Sequence, residues 1–200
     1  MKKIKTIFDR DWKGDKTVTD KYAEGVDPEI LKNYIATEKL DGMNVRVTVR
    51  NHTVVRLEKR RNPDKIQKAK GIVEPWYVDA DSCNPQDKYL CEAVINTDFS
   101  DIPDGEWSAE ALGKNIQGNP LGLDKNVLCI FDLGMAPVLQ NAPITYNELK
   151  EWLPFQKTKF GNPEFPVEGI VWRAGNMEKH DRGYPMFKIK TKDFFKDNRK

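Results

Sequence analysis

Two lysine-bearing strings carry most of the chemistry legible in this chain. Glu38-Lys39-Leu40-Asp41-Gly42-Met43-Asn44 places a lysine directly before a run of alternating valines. A lysine partly enclosed by apolar and basic neighbours gives up its proton more readily, and a neutral amine is a nucleophile. Gly42 allows close approach of backbone to a ligand, although Lys-x-Asp-Gly also describes an ordinary turn. Farther along, Phe187-Lys188-Ile189-Lys190 sets two lysines on one strand face by the two-residue period. Facing inward they would be costly in a plain core but apt against a triphosphate, beside a carboxylate such as Glu168 able to hold Mg²⁺. Facing outward they would be the solvated side of an edge strand.

Three more segments have functional chemistry. Lys59-Arg60-Arg61-Asn62-Pro63 reads as a basic turn whose planar guanidinium forks suit phosphate. Glu106 and Glu110 lie in a stretch bounded by Gly105, Gly113 and Gly118, which reads as a loop bent around something, its carboxylate free for a ribose hydroxyl or a hydrated metal. Phe131-Asp132 ends an apolar run, where an aromatic ring either stacks on a nucleobase or belongs to the core.

The elements that must position these residues follow from periodicity. Residues 44–50 alternate, with Val45, Val47 and Val49 on one face, and 53–57 follows after Asn51-His52, which predicts a hairpin. Residues 127–133 read as a buried strand, and 168–172 and 185–189 as two late strands separated by a polar loop over 174–183. Asp27-Pro28 predicts a helix start, with Asp as N-cap and Pro at the first position. Thr145 and Glu148 form a capping-box pattern for a helix over 145–153, ended by Pro154. Strands outnumber helices and come in consecutive pairs, so the class is α+β with mainly antiparallel sheets and flanking helices. No linker divides the chain, and a single domain over residues 1–200 is expected.

Composition narrows the partners. The 200 residues include 33 Lys+Arg and 31 Asp+Glu, for a net charge of +2. The basic residues cluster, with six against two acidic ones in 58–70 and again in 188–200. Such clustering in a near-neutral chain fits a polyanion-binding face, or two solvated stretches. Cys83, Cys91 and Cys129 form no disulfide framework, and with His52 and His180 isolated no structural zinc site is expected. The start lacks a signal-peptide apolar run and no segment is long enough to span a membrane. A reducing, cytoplasmic compartment is expected.

The order of these motifs, from Glu38 to Lys190, resembles the covalent nucleotidyltransferase superfamily of DNA ligases, RNA ligases and mRNA capping enzymes. In that superfamily Lys-x-Asp-Gly carries the lysine that becomes nucleotidylated. Asn44, where DNA ligases and capping enzymes usually have Arg, is similar to the nick-sealing, phage RNA-repair type of RNA ligase. So is Glu110-Ala-Leu-Gly-Lys-Asn-Ile-Gln117, which matches that branch's Glu-x-x-Gly-x-x-Ile-Gln and favours Glu110 over Glu106. Arg60 aligns with the branch's phosphate-contacting arginine, with Arg61 as the alternative.

The resemblance implies a nucleotidyltransferase (adenylation) fold and an ATP-dependent RNA ligase using Mg²⁺ or Mn²⁺. Lys39 would be the nucleophile. Glu38 and Phe131 would hold and stack on adenine, and Glu110 would contact the ribose. Glu168, with Glu110, would serve the metal, and Lys188 and Lys190 the α-phosphate and the departing pyrophosphate. Asn44 would matter most after adenylation. AMP would pass to a 5′-phosphate of RNA, and a 3′-hydroxyl would displace it. With 38 residues before Lys39 and 10 after Lys190, neither an OB domain nor a C-terminal helical domain is expected, so the chain reads as a minimal, monomeric form, with room for a partner protein to supply a missing domain. The alternatives are a minimal DNA ligase, a capping-type guanylyltransferase, or a catalytically silent nucleic-acid binding relative.

Overall fold

The computed structural model describes residues 3–174 and 185–196. Most of the loop expected over 174–183, together with His180, Arg199 and Lys200, lies outside the described residues. The chain forms two units. One is built on Asp41–Met135; the other combines Ile4–Leu40 with the chain from Ala136 onward. Each boundary falls at a single peptide in a tight connection, so there is no Pro-, Gly- or Ser-rich linker for composition to reveal.

The first unit is a five-stranded antiparallel sheet. Its strands are β5 (Met43–Arg50), β6 (Thr53–Arg61), β7 (Trp76–Asp79), β8 (Gly105–Leu112) and β9 (Val127–Ile130), in the order β7-β6-β5-β8-β9. Asn51 and His52 adopt φ of 47° and 59°, the left-handed pair that a two-residue hairpin turn needs to match strand twist. Val45, Val47 and Val49 are completely buried, as the alternation predicts. They pack with Ala109, Ala111 and Ile130, and with Leu90 and Ala93 of the helix α3 (Lys88–Ile95).

Three sequence expectations change here. The basic string 59–63 begins inside a strand rather than in a turn, because β6 continues to Arg61 through pairing with β7, Lys59 opposite Val78 and Arg60 opposite Tyr77. Residues 105–112 form a ladder with β5 instead of a bent loop. The run 127–133 stops being a strand at Ile130. Phe131–Leu133 turns into a 3₁₀ helix closed by Gly134 at φ 69°, which a residue with a Cβ adopts only at a cost.

The second unit holds a four-stranded sheet, β1 (Lys5–Thr6), β11 (Phe187–Lys190), β10 (Gly169–Ala174) and β4 (Tyr34–Glu38), in that order. A two-stranded ribbon, β2 (Phe8–Arg10) with β3 (Val18–Tyr22), joins it in one core. β11 lies between β1 and β10, so the lysine strand is not an edge. Phe187, Ile189, Ile170, Trp172 and Ala36 point to one face and are buried with Leu149 and Leu153. The helix α1 (Pro28–Leu31) starts as predicted, with the Asp27 carboxylate accepting from the Glu29 amide. In α4 (Tyr146–Trp152) the Thr145 hydroxyl donates to the Glu148 carboxylate rather than capping the backbone. Pro154 does not end the helical turn; it sits early in a 3₁₀ turn, Leu153–Phe155, where its missing N–H costs little. Among the described residues no helix is long and apolar enough to cross a membrane.

Candidate active site

Strand alternation turns Phe187 and Ile189 into the core of the second unit and so places Lys188 and Lys190 on the opposite face. Their partners in β10 are Val171 and Gly169. Beyond the end of β4 the Lys39 amide donates to the Gly169 carbonyl at 2.9 Å, which delivers the Lys39 side chain to the same residues. Its Nζ lies 2.5 Å from Glu168 Oε2, and Lys190 Nζ pairs with Glu168 Oε1. One carboxylate thus bridges two ammonium groups, and it is itself only 13% exposed. Gly169 is required at this point: a Cβ there would lie 2.1 Å from the Ile189 carbonyl oxygen.

Lys39 has basic neighbours, as expected, and an ion pair to Glu168 besides. Lys188 stands next to it. Burial, with the positive charges of Lys39 and Lys190 beside it, lowers its pKa to about 8, against the pull of Glu168 and Asp193. Three lysines facing so little counter-charge make a site for an anion carrying several charges.

Glu38 falls differently. It lies on the register of Ile170 and is only 1% exposed. Its Oε1 accepts from the Thr158 hydroxyl and its Oε2 from the Lys159 amide. Burial pushes its carboxyl above the usual range in spite of these donors. It anchors the 158–160 segment to the end of β4, a role with no local sequence signal.

In the first unit, the face of the sheet opposite the valines carries a polar row. Glu110 stands opposite Asn44 and Cys129, and Arg60 opposite Tyr77. Continuing the β5–β6 register, in which Val45 meets Lys59, sets Asn44 across from Arg60. Glu110 accepts from the Gly42 amide at 3.2 Å. Gly42 itself is needed because a Cβ would lie 2.2 Å from the Ala111 carbonyl oxygen; the close approach is to β8, not to a ligand as the sequence suggested. Asn44 donates to the Ala109 carbonyl at 3.1 Å and accepts from the Tyr77 hydroxyl at 2.7 Å.

The basic residues of this unit divide. Lys59 is buried against both oxygens of Asp87, so it leaves the exposed basic face that the sequence predicted. Arg61 is exposed, and Arg60 is half-buried with its Nε lacking any hydrogen-bond partner. Phe131 is buried at the start of its 3₁₀ turn.

Of the expected metal residues, Glu168 has the chemistry for a lightly held cation, while Glu110 belongs to the other unit. Among the described residues no group of three or more His, Cys, Asp and Glu converges. Mg²⁺, however, keeps several waters and takes only one or two carboxylates alongside phosphate oxygens. Glu168, beside lysines suited to phosphate, meets that need.

No family model matches the chain, and no curated protein does. Solved structures do match. A point mutant of Naegleria gruberi RNA ligase with AMP and Mn superposes with a TM-score of 0.50 at 14% identity, over 96% of this chain and 60% of that one. The same ligase with PPi gives 0.49 at 16% identity, over 84% of this chain and 53% of that one. The fold is similar to that of the AMP-bound RNA ligase structure. Its mainly antiparallel α+β architecture agrees with the sequence expectation. This chain spans 53–60% of the length of those two structures.

Proposed function

We propose that this chain is an ATP-dependent RNA ligase acting through a lysyl-AMP intermediate on Lys39. The observation that carries the reading is the cluster in which Glu168 bridges Lys39 and Lys190, with Lys188 on the same face of its strand. Lys39 Nζ would attack the α-phosphorus of ATP in line. The N–P bond forms as the P–O bond to pyrophosphate breaks. The ammonium must first lose a proton, and Glu168 Oε2 is the acceptor next to it. Lys188 and Lys190 offset charge on the triphosphate and on the departing pyrophosphate. A bound divalent cation adds further neutralisation at those phosphate oxygens.

A 5′-phosphate oxygen of RNA would then take AMP from Lys39, breaking the N–P bond, and a 3′-hydroxyl would attack that 5′-phosphate and release AMP. Within this reading Glu110 takes the ribose, Phe131 the base, Asn44 acts in the later steps, and Arg60 or Arg61 takes a strand phosphate. An adenine contact by Glu38 would have to compete with Thr158 and Lys159, which already satisfy it.

The test is the intact mass of the protein after incubation with ATP and Mg²⁺, beside GTP and a Lys39→Ala control. A gain of ~329 Da with ATP alone, absent in the variant, is the expected signature of covalent AMP. A GMP adduct moves the reading to capping-type chemistry, and no adduct on protein free of prior adenylation overturns it. Joining of a nicked duplex RNA, against the same nick in DNA, then assigns the strand.

A further inference from the structure

The polar row on the first unit's sheet contains an aromatic residue that no motif predicts. Tyr77 stands at the edge strand β7, and its hydroxyl donates to Asn44 Oδ1 at 2.7 Å. The Asn44 amide nitrogen donates to the Ala109 carbonyl at 3.1 Å and reaches Glu110 Oε2 at 3.5 Å. Reversing the amide would aim Oδ1 at a carbonyl and a carboxylate, both acceptors only, so the network permits one orientation. Tyr77 is fixed in turn. The Arg46 guanidinium lies 4.7 Å from its ring centroid and is clamped by Glu58 through bonds of 2.6 and 2.8 Å. Glu58 is only 2% exposed, and its two bonds hold the partly exposed guanidinium in one orientation, a bidentate geometry.

A purely structural tyrosine on an edge strand would need no buried clamp behind it and no carboxamide in front. Resting on the ligase reading, we propose that Tyr77 is a positioning residue that sets the Asn44 carboxamide for the steps after adenylation. The chain Glu58–Arg46–Tyr77–Asn44 transmits rigidity from a buried carboxylate to the carboxamide that a strand end would meet.

Tyr77→Phe removes the hydroxyl and keeps the ring under Arg46, so the fold is retained. The variant should form lysyl-AMP within about twofold of wild type and join pre-adenylated nicked RNA at least tenfold more slowly, in kcat rather than KM. Tyr77→Phe/Asn44→Ala should be no slower than Asn44→Ala alone. In ¹H–¹⁵N spectra the Asn44 side-chain amide pair, assigned by its loss in Asn44→Ala, should shift in Tyr77→Phe. Equal loss of both steps, additive losses in the double variant, or an unmoved Asn44 amide overturns the proposal. A wild-type protein that forms no lysyl-AMP would sink the ligase reading, while the amide spectrum would still decide whether Tyr77 orients Asn44.

Discussion

Lys188 and Glu168 set the acid–base behaviour of the lysine cluster. Lys188 binds a polyphosphate best as an ammonium, and with a pKa of about 8 it loses that charge as the pH rises through 8. Affinity for an α,β-methylene analogue of ATP, whose P–C bond to the pyrophosphate part cannot be broken so that no covalent step intervenes, should therefore weaken between pH 7 and 9. Lys188→Arg, charged throughout, should flatten that dependence. Glu168→Gln removes an opposing charge that holds the Lys188 pKa up, so the weakening should begin at lower pH. Stability runs the other way. The folded pKa is depressed below the ordinary 10.5, so between about 8 and 10.5 the unfolded chain binds more protons and folding becomes more favourable as pH rises. The difference in unfolding free energy between wild type and Lys188→Met should grow across that window.

At the scale of elements, the active face of the second unit depends on its core face. Trp172 is 1% exposed and lies in β10 next to Val171, which pairs with Lys188. Trp172→Ala should cost about 3–5 kcal/mol, read as a lower urea midpoint, and should loosen the lysine cluster with it. Gly169→Ala, forced against the Ile189 carbonyl, should separate β10 from β11 and weaken ATP binding. β5 was legible in the sequence because one face of it is wholly buried, and the first half of β6 because it follows β5 across a two-residue turn. So were Lys188 and Lys190, which the two-residue period put on one face. β7, α3 and the reach of β6 to Arg61 were not legible, since pairing with a distant strand decides them rather than local pattern. The partners of Glu38 and Asn44, Thr158 and Tyr77, were hidden for the same reason: they come from segments 120 and 33 residues away.

For the whole molecule, charge governs the encounter with a strand. With Lys59 neutralised by Asp87, the basic string of the first unit leaves Arg61 exposed and Arg60 half-buried. Arg61→Ala should lower the steepness of log affinity for RNA against log salt by about one phosphate's worth, and adding Arg60→Ala should lower it again. The way the two units share the chain has a consequence for synthesis. The unit on Asp41–Met135 is one continuous stretch and is complete once it has left the ribosome. β4 has no such freedom, because its partner β10 follows the whole of that stretch. Lys39 and Glu168 are 129 residues apart, a delay on the order of ten seconds of translation. For that interval β4 has an unpaired edge and Lys39 is without its counter-ion, so the nascent chain has a folded sheet and no assembled lysine cluster until Glu168, Lys188 and Lys190 emerge.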